Sequence, residues 1–243
     1  MENFTKLLDS IKTNTVFVLE FLGIILGVLI IAFVIEKLIK KKEKDNEKIL
    51  TTRKIAVIGV FSALAGVLMA VEVPLLIFPN NYKFEIGDLA ALISGFAFGP
   101  VAGVLVEFLK QLVKILIKPT ETAFLGEFAN FIVGCLFVLP ATSLYWLKKT
   151  KKNALLSCIV GSVTMIVGGA LLNGFYIIPA FAKLYNAPIE AIISMGADSN
   201  KMITSMFTYV LFGAVPINLL KSVACSALAM WLYKPLSKVW KEK

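Results

Sequence analysis

Apolar residues run in long blocks along this chain, and the charged residues collect between them. The first block, Thr15 to Ile35, makes about 31 Å of helix, enough to cross a hydrocarbon core. It is too long for the apolar core of a signal peptide, and no small-residue cleavage site follows, so it reads as a retained transmembrane helix. Lys37 to Lys54 is a polar, basic linker. A second span runs from Ile55 to Ile77, and the Pro and Asn content of 78–83 marks a loop. Asp88 is placed to cap the next helix. From Asp88 to Ile117 the pattern stays apolar, but Gly99-Pro100 interrupts it. Proline cannot continue the backbone ladder, so a hairpin of helices over 88–98 and 101–117 is predicted. Further spans follow over 124–147, over 154–182 with Pro179 near its end, and over 203–233 with a bend at Pro216. Between the last two lies a polar loop, 183–201, with a short helix starting at Pro188.

The expected fold is an all-α integral membrane protein, a six-helix bundle plus one extra N-terminal transmembrane helix. Residues 1–36 carry the extra helix, 37–54 a cytoplasmic linker, and 55–237 the six-helix domain. Basic residues set the orientation: the linker, the 148–152 cluster and the tail 234–243 hold most of the 25 Lys and Arg. Only the hairpin reading puts all three on one side, with the N-terminus outside and the C-terminus cytoplasmic. The composition agrees, at 58% hydrophobic and 17% charged, and excludes a soluble enzyme or a disordered chain. The net charge of +9 belongs to cytoplasmic lysines and does not indicate nucleic-acid binding. The chain has no histidine, which removes His-based catalysis and nearly all transition-metal sites. Its three scattered cysteines make neither a disulfide framework nor a metal cluster. A P-loop, a Gly-x-Ser-x-Gly elbow and paired intramembrane aspartates are also missing.

Polar groups deep in apolar spans mark function by default. Asn218 and Lys221 share a face of the last span. Lys221 lies too far from Lys234 to reach the inner surface, so it needs a carboxylate or a ligand. Asn173 with Tyr176, and Glu127 with Asn130, form two more such pairs in the outer half of the membrane. Their convergence predicts a polar ligand pocket, against the plainer reading that they bond to one another. Glu107 is placed to pair with Lys110, and Glu72 to be solvated. Tyr145, Trp146, Trp231, Tyr233 and Trp240 read as an interfacial belt. Gly59, Ala63, Gly66 and Ala70 line one face of the second span, open either to internal packing or to a partner helix.

The stretch Ile86 to Val104 resembles the S components of energy-coupling-factor vitamin transporters, and the continuation Glu107-Phe108-Leu109-Lys110 and the segment Gly126-Glu127-Phe128-Ala129-Asn130-Phe131 resemble their riboflavin-selective branch. Asn173-Gly174-Phe175-Tyr176-Ile177-Ile178-Pro179 and Pro216-Ile217-Asn218-Leu219-Leu220-Lys221 resemble the riboflavin-selective branch. The resemblance covers about 53–237. It implies a riboflavin-binding subunit in the cell membrane, working with a membrane coupling subunit and two ABC-type ATPases. It implies ring contacts from Asn173, Asn218 and Lys221; the chemistry of riboflavin adds that its apolar body suits Phe, Leu and Tyr walls, with Tyr176 a candidate, and that its ribityl chain wants polar partners such as Glu127 and Asn130. The family's Ala-x-x-x-Ala coupling motif appears here as Gly59-x-x-x-Ala63 and Gly66-x-x-x-Ala70. No cofactor is implied, because a flavin would be cargo. The N-terminal helix lies outside the resemblance and is expected to be dispensable for recognition. An S component for another vitamin or a modified base, or a membrane scaffold or enzyme, are the alternatives.

Overall fold

The computed structural model describes residues 12–241, with side chains described as far as Tyr233. Helix α1 spans Thr15–Glu43, α2 Thr52–Ala70, α3 Asp88–Phe98, α4 Pro100–Ile117 and α5 Leu125–Leu147. Helix α6 covers Lys151–Leu172, α7 Ile178–Leu184, α8 Ile189–Ser199, α9 Met206–Tyr209 and α10 Val215–Lys241. Among the described residues, five helical runs are long and apolar enough to cross a membrane: α1, α2, α5, α6 through α7, and α9 through α10. The α3–α4 hairpin supplies the remaining span of the bundle.

Several element bounds differ from the sequence pattern. The span expected to reach Ile77 stops at Ala70, and Val73–Pro74 pairs antiparallel with Lys83–Phe84 as strands β1 and β2. β-branched Val71 and Val73 and the helix-breaking Pro74 favour that outcome. Asp88 is the first residue of α3, not its cap, and its carboxylate pairs with Lys110. The two long C-terminal runs each contain a π-turn, Asn173–Ile177 and Val210–Ala214, lying just before Pro179 and Pro216. Apolar periodicity carries no sign of either.

Backbone groups freed by proline are satisfied across the bundle. Pro140 lies inside α5 and cannot donate to Leu136. The Thr164 hydroxyl of α6 donates to that carbonyl instead, at 2.7 Å. Tyr145, Trp146 and Tyr233 are buried, correcting the belt reading for these three. Trp146 Nε1 donates to the Gly95 carbonyl at 3.0 Å, and the Tyr145 and Tyr233 hydroxyls lie 3.2 Å apart. Trp231 is exposed, and the Trp240 side chain lies outside the described residues.

The N-terminal helix is longer than expected and packs firmly on the body. It continues through Lys37 to Glu43, so the linker begins as helix. Phe21, Ile25, Ala32, Glu36 and Ile39 form one buried seam, while Leu19, Leu22, Leu26 and Ile30 face outward. The Phe21 ring meets Phe128 edge-on at 5.3 Å. Glu36 Oε2 accepts a hydrogen bond from the Val101 backbone N–H at 2.9 Å, at the N-terminus of α4. A carboxylate is favoured there by the helix dipole and the unpaired amides. Gly99 makes room for it: its φ is +116°, and a Cβ would run into the Glu36 carboxylate.

Replacing Glu36 with Ala should leave the α4 amide unpaired and lower stability by about 1–3 kcal/mol. Truncation to a start near Lys48 removes the aromatic seam as well and should lower it further. Thermal unfolding of the detergent-solubilised protein measures both, and unchanged melting of the truncated chain would show that α1 contributes no stability.

Candidate functional site

A cavity of about 460 Å³ opens among the β1–β2 hairpin, the start of α5, α7, α8 and α10. Its apolar wall includes Met69, Ile178, Phe181 and Ile217. Polar groups reach it from several elements: Asn130 and Glu127 from α5, Asn218 and Lys221 from α10, and Asn81, Tyr82, Lys83 and Glu85 from the hairpin. No residue of α1 lines it. Size and lining suit a small molecule with one apolar body and several hydrogen-bonding edges.

Local structure fixes these groups in place. The turn before α5 holds Ala123 and Phe124 in the left-handed region, at φ of +47° and +70°. Thr120 Oγ1 accepts from the Phe124 N–H at 3.0 Å and donates to Glu127 Oε2 at 2.9 Å. Lys114 Nζ donates to Glu127 Oε1, also at 2.9 Å. Both Glu127 oxygens are thus committed within the protein. The hairpin is tied down from the other side. Tyr82 donates its hydroxyl to Asn173 Oδ1 and Tyr209 to Asn81 Oδ1, each at 2.8 Å.

The sequence-selected residues separate into two groups. Asn218, Lys221, Glu127 and Asn130 meet around the cavity. Asn173 sits behind Tyr82, its Nδ2 donating to the Gly169 carbonyl at 2.8 Å. Tyr176 is displaced from the expected wall: it lies partly exposed with its ring against Phe128, 5.4 Å away. The π-turn from Asn173 changes the rotation of the helix, so an i, i+3 pair no longer points one way. Asn218 Nδ2 is buried with no hydrogen-bond partner among the described residues. It packs so tightly on α6 that a Cβ on Gly169 would collide with it.

Sequence reasoning missed the acidic partners. Lys221 Nζ lies 2.5 Å from Glu85 Oε1. Lys110 contacts Asp88 and lies 2.5 Å from Glu107, the pairing expected along α4. Glu72 is not merely solvated but paired with Lys83 at 2.7 Å and with Lys118. Glu85 sits in a loop with no helical spacing to advertise it; only the need of Lys221 for an acceptor pointed that way. The small-residue stripe also divides. Gly59 and Ala63 are exposed and Ala70 half-buried, whereas Gly66 is buried where a Cβ would strike Val113 of α4. Gly66 therefore serves packing within this chain.

The fold and cavity define a helical membrane protein with a cavity suited to a small solute at one end of its bundle. The chain belongs to the family of substrate-specific components of energy-coupling-factor transporters, whose model matches residues 53–233. Helix α1 lies outside that match. The riboflavin transporter RibU of Staphylococcus aureus (strain TCH60) is 28% identical over 83% of this chain and 96% of its own length. The riboflavin transporter FmnP of Bacillus subtilis (strain 168) is 28% identical over 79% of this chain and 95% of its own. The solved S component of a bacterial energy-coupling-factor transporter superposes with a TM-score of 0.60 and 26% identity. That likeness spans 78% of this chain and 98% of the other.

Glu72 lies in the loop outside the spans. Burial works to raise its carboxyl, but the ammonium groups of Lys118 and Lys83 outweigh it and hold it below its ordinary value of 4.5. Its contribution to stability should therefore be full above that value and lost as pH falls through the lowered one. Melting of the protein and of Glu72→Gln at a series of pH values should differ by a constant amount near neutrality and converge in acid.

Proposed function

We propose that this chain is the riboflavin-binding subunit of an energy-coupling-factor transporter and mediates riboflavin uptake. The observation that carries this reading is the meeting of Asn218 and Lys221 with Asn130 in one cavity of flavin size. The isoalloxazine ring offers carbonyl and imide groups along one edge. A buried amide with an unused N–H and a lysine ammonium suit that edge. The relatives named as riboflavin transporters support the same cargo. A membrane coupling subunit and two ATPases would complete the transporter. The cavity would face outward, with the C-terminus of the chain cytoplasmic, as the basic linker and tail require. The absorption spectrum of the purified protein tests the reading directly: a co-purifying flavin band supports it, and failure to bind added riboflavin removes it.

The lysines around the cavity are already engaged: Lys83 and Lys118 with Glu72, Lys114 with Glu127, and Lys221 with Glu85. Each of these ammonium charges is already balanced by a carboxylate, so a phosphate would enter without a counter-charge of its own and meet the acidic groups of the wall. Riboflavin should bind more tightly than flavin mononucleotide in parallel calorimetric titrations. Asn218→Ala should weaken riboflavin binding by roughly 5- to 150-fold, the effect of losing one buried hydrogen bond of about 1–3 kcal/mol.

Gly59 and Ala63 present an open, small-residue face on α2, suited to close approach of a partner helix. We assign this face to the coupling subunit. Gly59→Leu should abolish riboflavin uptake by cells while leaving binding to the isolated chain unchanged. Gly66→Leu should instead reduce stability through its clash with Val113.

A further inference from the structure

Lys221 is a buried ammonium on α10 whose nearest acceptor is Glu85 Oε1, at 2.5 Å. Glu85 is itself held in place. Its Oε2 accepts from the Gly87 backbone N–H at 2.5 Å, and a Cβ on Gly87 would press on both that oxygen and the Ala65 carbonyl. The carboxylate therefore stands on rigid backbone at the entry to α3. Glu85 and Lys221 both line the cavity, beside Asn218 one turn earlier on α10. An ammonium has three donors, so pairing with Glu85 leaves others for a ligand.

We propose that Glu85 is the positioning residue of the site: the counter-ion that keeps Lys221 charged and directed toward the flavin edge. The proposal rests on the riboflavin reading above. Other ionisable groups face this pair. Asp88 of α3 comes within 4.0 Å of Lys221, but its other oxygen is taken by Lys110 of α4. Lys110 also contacts Glu107, so one ammonium faces two carboxylates there and Asp88 stands as a second, more distant counter-charge for Lys221. Cys225 lies one turn beyond Lys221 on α10. Around the cavity, Glu72 and Glu127 are paired with their own lysines, and Glu121 lies 3.9 Å from Lys83. The Tyr82 and Tyr209 hydroxyls are bound to asparagines. None of these replaces Glu85 at hydrogen-bonding distance from Lys221.

Removal of the counter-ion should make lysine ionisation limiting. Without Glu85 the ammonium loses its only carboxylate at hydrogen-bonding distance and keeps the more distant Asp88, 4.0 Å away and shared with Lys110, so burial favours the neutral amine more strongly than in the unaltered chain. Riboflavin binding to the full-length protein is measured by flavin fluorescence quenching between about pH 6 and pH 9. The unaltered chain should give a flat profile. Glu85→Gln keeps an acceptor for the Gly87 N–H but loses the charge. Its affinity should fall as pH rises, approaching about tenfold per unit once the lysine deprotonates. Glu85→Asp should restore the flat profile.

A flat profile for Glu85→Gln overturns the proposal, even if affinity drops uniformly, because a merely structural role would act equally at all pH. A slope already present in the unaltered chain overturns it as well. Absence of saturable binding by the unaltered chain would remove the riboflavin reading itself and is seen before any variant is compared. If Glu85→Gln does not fold, the double variant Glu85→Gln/Lys221→Met decides. Recovery of melting toward that of the unaltered chain supports the pairing, since the unpaired ammonium is gone. A double variant that stays unfolded overturns it.

Discussion

An ion placed in an apolar bundle must find its opposite, and this constraint organises the body of the protein. Asp88, Glu107 and Lys110 join α3 to α4, while Lys221 and Glu85 join α10 to the segment that leads into α3. Each group is almost fully buried. Breaking one such pair costs about 3–5 kcal/mol in typical proteins, because the partner is left charged without compensation. The spacing of helices around the cavity is therefore held by paired charges as well as by side-chain packing. Of these groups Lys221 and Glu85 also line the cavity, so the structural network and the cavity wall share residues.

Where the chain cannot form regular helix, neighbouring elements supply the missing partners. Pro140 leaves a carbonyl that Thr164 satisfies from the next helix. The Gly99-Pro100 turn leaves an amide that Glu36 satisfies from α1. In a medium without water to fill these gaps, each becomes an interhelical contact. Helix α1 is bound to the body for this reason, although it stands outside the region shared with the family. Its outer face remains apolar and exposed, as expected against lipid.

The two π-turns sit in the helical runs that face the cavity. The first sets Asn173 behind Tyr82 and turns Tyr176 outward. The second precedes Pro216 and the turn that carries Asn218. Extra residues in these turns shift the helical face, and the shift determines which polar groups reach the cavity.

The sequence alone determined the membrane class, the hairpin at Gly99-Pro100 and the positions of most helices. Length of apolar runs and the chemistry of proline act locally and leave a direct trace. It also marked Asn218, Lys221, Glu127 and Asn130, because a polar group in an apolar span stands out without any knowledge of its neighbours. Only the tertiary structure decided their partners. Glu85 lies in a loop far along the chain from Lys221, and no spacing rule links them. The seam of α1 was hidden because a helix apolar on all sides shows no amphipathic face, and Glu36 looked like the end of a span. Gly59 and Gly66 carry the same sequence signal, yet one is open and the other lies under Val113. Which side of a helix meets a neighbour is settled by packing of the whole bundle, and periodicity records only that the side exists.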